Sequence, residues 1–385
     1  MRIAVDATPW FNERGYGRFT RELLSALAPL APRHELVLLV DARDAALLRL
    51  AGPNVRVRGV ALGNRPTEAA SAKGNRSIGD MLAMRRAAKE ERPDVLFYPT
   101  VYTYFPAPRG IPVVVTVHDA IAERFTKLTL PSARARLFWR LKVKLALFQA
   151  RLVLTVSDFA AREIETVLRV PRAKIRVSGE APAPAFQPGA PAAERAELPR
   201  GARWIIYVGG FNPHKNVDVL ARAHARLARE IVNPPHLLLV GTRDRDAFHT
   251  SHAAIEQAIE AGGAGHLVHW TGFVADAELR LLHGGALLCA LPSECEGFGL
   301  PAVEAAACGT PVVATTQSPL PELLRGGGIF VEPRDEDGLF SALKTLATDE
   351  TARAAMGRTA LARARELSWD RAARAALDAI EEAAR

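Results

Sequence analysis

The chain has 385 residues, a length that favours two domains, each able to bury its own core. Its formal net charge is +8 at pH 7, which favours phosphate-bearing or other polyanionic partners. Nucleic acid is not an expected partner, because no zinc-finger or RNA-binding aromatic motif is present. No apolar run approaches the ~20 residues of a bilayer span, and the start MRIAVDATPW does not resemble a signal peptide, so a cytoplasmic protein is expected.

Apolar, β-branched runs alternate with helical stretches in both halves of the chain, which indicates an α/β fold with parallel sheets covered by helices. Most runs are continuously apolar, as in strands buried on both faces. The predicted strands of the first half are Arg2–Asp6, Glu35–Val40, Val55–Val60, Val95–Tyr98, Val113–Val117 and Leu152–Val156. Those of the second half are Trp204–Val208, His236–Val240, Leu267–Thr271, Leu287–Leu291 and Pro311–Ala314.

Two places in the first half follow a predicted strand. Gly15 and Gly17 lie between strand one and a helix predicted to begin near Phe19, where glycines admit a phosphate or sugar close to the backbone. A G-x-G pair alone is equally compatible with a tight turn. His118 and Asp119 stand at the carboxyl end of a strand, the end at which ligands bind in open α/β sheets. Asp119 is adjacent and is a candidate to fix the tautomer of His118.

The stretch Ser132–Arg151 contains six arginines and lysines and no acid. At 100° per residue, a stripe of Leu137, Leu141, Leu145 and Phe148 lies beside a row of Arg136, Arg140 and Lys144. Two readings stay open. A basic amphipathic helix can rest on anionic lipid, which would place the protein peripherally on the inner face of the plasma membrane. The other reading is a core helix with a charged outer edge.

The run PSECEGFGLPAVEAAACGTPV (292–312) is the most informative part of the second half. Gly297 and Gly299 allow close backbone approach, and Pro301 suits the first turn of a helix, whose amino end attracts phosphate. Glu296 and Glu304 stand on either side of this turn, so one ligand could meet both. The carboxylates could accept hydrogen bonds from sugar or ribose hydroxyls, while the backbone amides at the helix start hold a diphosphate. This combination would suit a nucleotide-sugar. The three cysteines, whose spacing matches no zinc pattern, are expected to be reduced thiols.

This run resembles the signature of the family 4 glycosyltransferases, and the similarity extends from Met1 to about Trp369. The resemblance implies the GT-B fold, in which two Rossmann-like doubly wound parallel-sheet domains face an interdomain cleft. It implies an acceptor domain over 1–180, a proline-rich linker over 181–201 and a nucleotide-sugar domain over 202–368. A C-terminal helix over 369–385 would pack back on the first domain.

The resemblance also implies residue roles. Glu296, His118 and Lys215 are the predicted catalytic residues: Glu296 and His118 beside the donor sugar, and Lys215 on the β-phosphate. Glu304 resembles the glutamate that binds the ribose. The other predicted donor-binding residues are Gly15, Gly17, Gly209, Gly210, His214, Val274, Phe298, Gly299 and Leu300. Many members carry an arginine where Gly210 stands, and either His214 or Arg18 could supply that second cation here.

The function implied is retaining transfer of a hexose from a nucleotide diphosphate sugar to a glycan or polyprenyl-diphosphate-linked acceptor. GDP-mannose is the preferred donor, because VGGFNPHKN looks like bacterial mannosyltransferases of surface polysaccharide assembly; UDP-hexose is the alternative. Rival readings are a GT-B epimerase, a glycan phosphorylase or a non-catalytic nucleotide-sugar-binding subunit. No cofactor and no metal are predicted. The D-x-D triplets 244–246 and 335–337 match a motif that binds a divalent metal in other glycosyltransferases, but they stand in charged stretches outside the expected phosphate region. They are therefore not interpreted as a metal site.

Overall fold

The structure is a computed structural model that describes residues 1–50, 52–64, 77–130, 132–189, 198–242 and 251–385. These residues form two compact units. The first unit contains Met1–Glu180 together with Ser368–Arg385, and the second contains Ala181–Leu367. Each unit is built around one parallel sheet with helices packed on it.

The first sheet has seven strands within the described residues, in the order β3-β2-β1-β4-β5-β6-β7. Each neighbouring pair is parallel. The order reverses between β1 and β4, and ligands of open α/β sheets bind at such switch points. The strands are β1 (Arg2–Asp6), β2 (Glu35–Asp41), β3 (Val55–Val60), β4 (Val95–Tyr98), β5 (Val113–Thr116), β6 (Leu152–Thr155) and β7 (Ile175–Val177).

The second sheet has six strands in the part of the chain that is described, in the order β10-β9-β8-β11-β12-β13. Its neighbouring strands are also parallel, and its switch point lies between β8 and β11. The strands are β8 (Trp204–Val208), β9 (His236–Val240), β10 (Val268–Gly272), β11 (Leu288–Leu291), β12 (Val312–Thr315) and β13 (Gly328–Val331).

Helices connect the strands in both units. Those of the first unit are α1 (Gly15–Leu30), α2 (Ile78–Glu90), α3 (Ile121–Arg124), α4 (Thr126–Thr129), α5 (Ala133–Gln149), α6 (Asp158–Leu168) and the C-terminal α14 (Trp369–Ala384). Those of the second are α7 (Val217–Glu230), α8 (His252–Gly262), α9 (Asp276–Gly285), α10 (Leu300–Ala307), α11 (Leu320–Leu323), α12 (Glu336–Thr348) and α13 (Glu350–Ala364). No helix among the described residues combines the length and apolar character needed to cross a bilayer.

Several helices begin where a side-chain oxygen can cap a free backbone amide. Ser77 accepts from Asp80 N at the start of α2, and Ser132 accepts from Ala135 N at the start of α5. Ser157 caps α6 in the same way, which gives that serine a structural role. These helix starts are therefore marked in the sequence by a serine at the N-cap position.

The predicted strands are confirmed, with ends that differ by one or two residues, but two strands were missed. Both missed strands, β7 and β13, lie at an edge of their sheet. β7 has only three residues and β13 begins with a glycine, so neither forms the long apolar run that marks a central strand.

The predicted start of the first long helix near Phe19 was wrong, because α1 begins at Gly15. Gly15 and Gly17 therefore belong to the first turn of the helix. A Cβ on Gly17 would lie 2.0 Å from the backbone oxygen of Asn12, so this glycine is required by close packing within the unit.

The C-terminal helix α14 belongs to the first unit and packs on α1. Trp369 opens α14, and its ring lies edge-on to Phe19 of α1 with centroids 6.0 Å apart. The faces of α14 that meet the unit are rich in alanine, and small side chains let helices approach closely.

Candidate functional site

The carboxyl ends of β8 and β11 lie side by side at the switch point of the second sheet. The turn after β8 leads into a single 3₁₀ turn, Pro213–Lys215, and then α7. The turn after β11 carries the signature and leads into α10. This topology brings together two segments that are about eighty residues apart in the sequence.

Lys215 and Glu296 are in direct contact at this point. The Lys215 ammonium donates to Oε1 of Glu296 at 2.7 Å, and the hydroxyl of Ser293 donates to the same oxygen at 2.6 Å. The backbone amide of Glu296 also donates to the carbonyl of Gln317 at 3.0 Å. Since Glu296 is buried, the contacts to its oxygen offset the cost of removing a carboxylate from water.

Asn216 fastens the turn after β8 to the turn after β11. Its amide nitrogen donates to the carbonyl of Pro292 and to Oε2 of Glu294, both at 3.2 Å. The backbone amide of Glu294 in turn donates to the carbonyl of His214 at 2.7 Å. Asn216 has a left-handed backbone with φ of 52°, a conformation that asparagine tolerates better than most residues. The two turns are thus joined by main-chain and side-chain bonds.

His214, one of the two predicted candidates for a second cation, has a strongly lowered pKa. Burial, reinforced by the neighbouring Lys215 charge, lowers the pKa of His214 to about 3. The imidazole is therefore neutral at pH 7. At Gly210 the backbone carbonyl accepts a hydrogen bond from the Tyr207 hydroxyl. The turn that contains Lys215 carries one positive side chain.

The signature continues into α10, which begins one residue before the predicted Pro301. Gly299 is its N-cap with a left-handed φ of 87°, and a Cβ there would lie 2.8 Å from Leu320. Phe298 and Leu300 are buried on either side of it. Glu304 is also buried, and its charge helps to raise the pKa of the Cys289 and Cys308 thiols beyond the effect of burial.

Glycines end three adjacent strands of the second sheet. Gly209, Gly241 and Gly272 follow or end β8, β9 and β10 with φ values of 154°, 156° and 70°. A Cβ on Gly241 would lie 2.2 Å from the carbonyl oxygen of Gly209, so only glycine fits there. The result is an edge formed by main chain rather than side chains, beside which Val274 is buried.

In the first unit, His118 is held at both ring nitrogens. Nε2 lies 3.0 Å from the carbonyl oxygen of Pro99, so this nitrogen carries a proton and donates. Nδ1 lies 3.4 Å from the Glu180 carboxyl, whose pKa is raised by burial. The ring also meets Phe19 edge-on at 4.7 Å. The sequence did not pair Glu180 with His118, and the structure places its carboxyl beside Nδ1.

An aromatic stack begins beside the first glycine of α1. Tyr16 stacks on Tyr102 at 5.0 Å, and Tyr102 meets Trp139 of α5 at 5.1 Å. The Trp139 indole donates to Glu123 at 2.7 Å. Burial raises the pKa of Glu123 to about 7. The segment around Gly15 is thereby tied to α5 through three rings.

Of the two D-x-D triplets, the structure describes only the second. Residues 244–246 lie outside the described residues. In the second triplet, Asp335 caps α12 by accepting from Gly338 N at 2.9 Å, and Asp337 pairs with Arg226. This triplet is therefore a helix start.

Sequence reasoning missed Ser293, Asn216 and Glu180. Ser293 and Asn216 stand within or beside the recognised motifs, so their position was the signal that could have found them. Glu180 is separated from His118 by sixty-two positions, and nothing in the sequence pairs them.

Two family models match this chain over most of its length. The model described as "Glycosyltransferase Family 4" matches residues 14–178, and the one described as "Glycosyl transferases group 1" matches residues 192–363. The chain belongs to the family 4 glycosyltransferases.

Curated relatives of this family 4 glycosyltransferase include the O-antigen chain mannosyltransferase B of Escherichia coli, 30% identical over 58% of this chain and 59% of that protein. A D-inositol 3-phosphate glycosyltransferase of Nocardioides sp. is 30% identical over 71% of this chain and 63% of that protein. The chain thus spans less than two thirds of the length of these two relatives.

Solved structures share the fold. A sucrose-phosphate synthase from Thermosynechococcus elongatus superimposes with a TM-score of 0.78 at 20% identity, covering 99% of this chain and 98% of that one. HepE from Anabaena, solved with UDP and glucose, gives 0.71 at 18% identity, covering 99% and 100%. These neighbours and the two parallel sheets confirm the predicted GT-B fold of two Rossmann-like units.

Proposed function

We propose that this chain is a retaining hexosyltransferase that uses a nucleotide diphosphate sugar, with GDP-mannose as the preferred donor. The observation that carries the proposal is the contact between Lys215 and Glu296 at the switch point of the second sheet. A buried carboxylate for sugar hydroxyls and an ammonium for phosphate, placed side by side, match the two halves of such a donor.

The donor roles follow the predicted assignments on the second unit. Glu296 orients the hexose, Lys215 neutralises the diphosphate, and Glu304 holds the ribose. The backbone of Phe298, Gly299 and Leu300 runs along the sugar and phosphate at the amino end of α10, where helix amides favour an anion. The glycine-ended edge with Gly209, Gly210 and Val274 receives the nucleotide, and neutral His214 supports it through its main chain.

On the first unit, Gly15, Gly17 and His118 stay proposed donor contacts on the strength of the family resemblance. Because both nitrogens of the His118 ring are engaged by Pro99 and Glu180, we expect its contribution to come from the main chain or the ring edge. The first unit is the proposed acceptor domain and the second the nucleotide-sugar domain.

In the proposed reaction the bond between the anomeric carbon and the β-phosphate oxygen breaks while the acceptor hydroxyl forms a bond on the same face. The acceptor proton goes to the departing phosphate oxygen. Negative charge grows on that phosphate, and Lys215 stabilises it from a fixed position. Glu296 acts by orientation and electrostatics, without a covalent intermediate on the protein.

Two comparisons bear on the donor. The similarity to an O-antigen mannosyltransferase favours mannose, and HepE was solved with UDP, which keeps UDP-hexose as the second candidate. The proposed acceptor is a glycan or a polyprenyl-diphosphate-linked glycan on the cytoplasmic side of the membrane. Neither proposal requires a cofactor or a metal.

A ligand panel tests the donor first. Thermal unfolding is measured with GDP, UDP, ADP and their sugars, since a ligand that binds the folded state raises the midpoint. GDP and GDP-mannose are expected to give the largest shifts, and a larger shift with UDP-hexose would replace GDP-mannose with the second candidate.

Transfer is then followed with the selected donor, in EDTA, by release of nucleotide diphosphate and by NMR of the product. An α-donor should give an α-linked product. An inverted product, or loss of transfer in EDTA that added metal restores, would overturn the mechanism. No turnover with any acceptor and no slow hydrolysis would favour the non-catalytic alternative.

A further inference from the structure

The helix α5 turns a row of large apolar side chains outward. Its most exposed members, with their exposed fractions, are Leu137 (57%), Phe138 (45%), Leu141 (54%), Leu145 (40%) and Phe148 (85%). These five residues are called the α5 stripe below. Of the two readings of this segment, the one with a core-facing stripe is wrong.

The burial of α5 explains the orientation. Val143 and Ala146 are buried and belong to the opposite side of the helix. At 100° per residue the five stripe residues fall within an arc of about 100°, centred well away from these two. The sequence periodicity was therefore read correctly, but it could not tell which of two apolar faces meets the sheet.

The inner side of α5 is fixed to the unit by polar bonds. Trp139 donates to Glu123 at 2.7 Å, and the Lys142 ammonium donates to the carbonyl of Tyr102 at 3.1 Å. These bonds hold the helix in place with the α5 stripe outward. The exposure of the stripe is thus a fixed property of the fold.

The charged residues of α5 itself all have one sign. Arg134 lies within the arc near the start of the helix, with its guanidinium carbon 5.5 Å from the Phe138 ring centre. Arg140 and Lys144 are exposed along one border. The helix contains no acidic residue. Cations that border a band of leucine and phenylalanine are typical of helices that lie in the surface of an anionic bilayer.

We infer that the α5 stripe docks on an anionic phospholipid bilayer, with the apolar residues in the acyl boundary and the cations among the headgroups. A second copy of the chain fits less well. A two-fold contact of α5 on α5 would bring Arg134, Arg140 and Lys144 of both copies together, and α5 has no acid to pair them. The inference does not rest on the proposed transfer reaction, and its test needs no sugar substrate.

A single fluorescent label tests the contact directly. The three native cysteines are buried, so a cysteine introduced by Phe148→Cys can be labelled selectively with an environment-sensitive dye. Phosphatidylglycerol-containing vesicles should increase and blue-shift the emission, and pure phosphatidylcholine vesicles should have a much smaller effect. The matched control is Val232→Cys, an exposed position on the second unit that should not respond.

Vesicle sedimentation with unlabelled variants separates the apolar and charged parts. Leu141→Ser/Phe148→Ser should weaken binding at least about tenfold. Arg140→Gln/Lys144→Gln should weaken it by about fivefold per cation and reduce its salt dependence. Controls with the same chemical changes elsewhere are Ile78→Ser/Val232→Ser and Arg358→Gln/Arg374→Gln, all at exposed positions.

Circular dichroism confirms that each variant is folded before it is compared. Equal binding by the stripe and control variants, or equal binding to neutral and anionic vesicles, would overturn the inference. So would sedimentation equilibrium without lipid showing a dimer that only the stripe variants dissociate, because the occupant would then be a second copy.

Discussion

Lys215 donates to Glu296 at 2.7 Å across the switch point of the second sheet. The two residues come from different motifs, one after β8 and one after β11. Their contact is the result of strand order: β8 and β11 are neighbours although β9 and β10 separate them in sequence. The ion pair therefore depends on the pairing of β8 with β11.

Replacement of Glu296 should separate turnover from nucleotide binding. Glu296→Ala is expected to lower kcat by about 10² to 10³ while the Kd for GDP changes by about threefold or less, because the carboxylate is assigned to the sugar. Kinetics and calorimetric titration measure the two effects. Glu322→Ala, on an exposed acid of α11, is the control. Equal losses of turnover and GDP binding would contradict the assignment.

Asn216 should contribute through both its backbone and its side chain. Asn216→Gly keeps the left-handed backbone and loses the bonds to Pro292 and Glu294, at about 1 kcal/mol of unfolding free energy. Asn216→Ala adds backbone strain and should cost about 2 kcal/mol in all. Denaturant unfolding measures both.

The control for Asn216 is Asn233, an exposed asparagine with φ of 54°. Asn233→Ala should cost about 1 kcal/mol from strain alone. Equal costs of the alanine variants at the two positions would show that the side-chain bonds of Asn216 add no stability.

Gly241 should not accept even a methyl group. Its Cβ would collide with the Gly209 carbonyl, so Gly241→Ala is expected to cost at least about 2 kcal/mol and to weaken nucleotide binding by displacing the edge. Gly263→Ala is the control, because that left-handed glycine has open space around it and should cost about 1 kcal/mol. Thermal unfolding with and without GDP compares them, and equal midpoints would contradict the steric argument.

Glu123 should make stability depend on pH. Its pKa rises on folding from 4.5 to about 7, so the folded protein holds the proton more tightly than the unfolded chain. The contribution of Glu123 to the free energy of unfolding is fully present below pH about 4.5 and is lost as the pH rises towards 7. Glu123→Gln removes this loss and keeps an acceptor for Trp139.

The stability of Glu123→Gln relative to wild type should therefore increase by about 2 kcal/mol between pH 5 and pH 8. Unfolding in denaturant at the two pH values measures the difference. Glu366→Gln, at an exposed position, removes the same charge and serves as control. A difference that does not change with pH would contradict the raised pKa.

The sequence predicted the central strands because each is a continuous apolar run, as in Leu36–Val40 and Leu237–Val240. It missed β7, which has only three residues, and β13, which begins with a glycine, because neither forms a long apolar run. It placed the start of α1 too late because glycine signals a turn, whereas Gly17 serves close packing against Asn12. Such packing is decided by tertiary contacts and leaves no local pattern.

The candidate site shows the same division. The residue types of the signature and of Lys215 were recognisable, since charged groups beside glycines follow predicted strands. The contact between them was not, because it depends on which strands are neighbours. The charge of His214 likewise depends on burial, which lowers its pKa. Burial cannot be read from the residue type, so the sequence left His214 open as a cation.

The bonds from Glu294 N to the His214 carbonyl and from Asn216 to Pro292 mean that the two turns form one interlocked part. A chimera that takes only residues 292–299 from another transferase would keep the native 214–216 turn, and the bonds between the two turns would then be formed by unmatched partners. Exchanges intended to alter sugar preference should therefore transplant residues 209–216 together with that stretch, as a matched cassette.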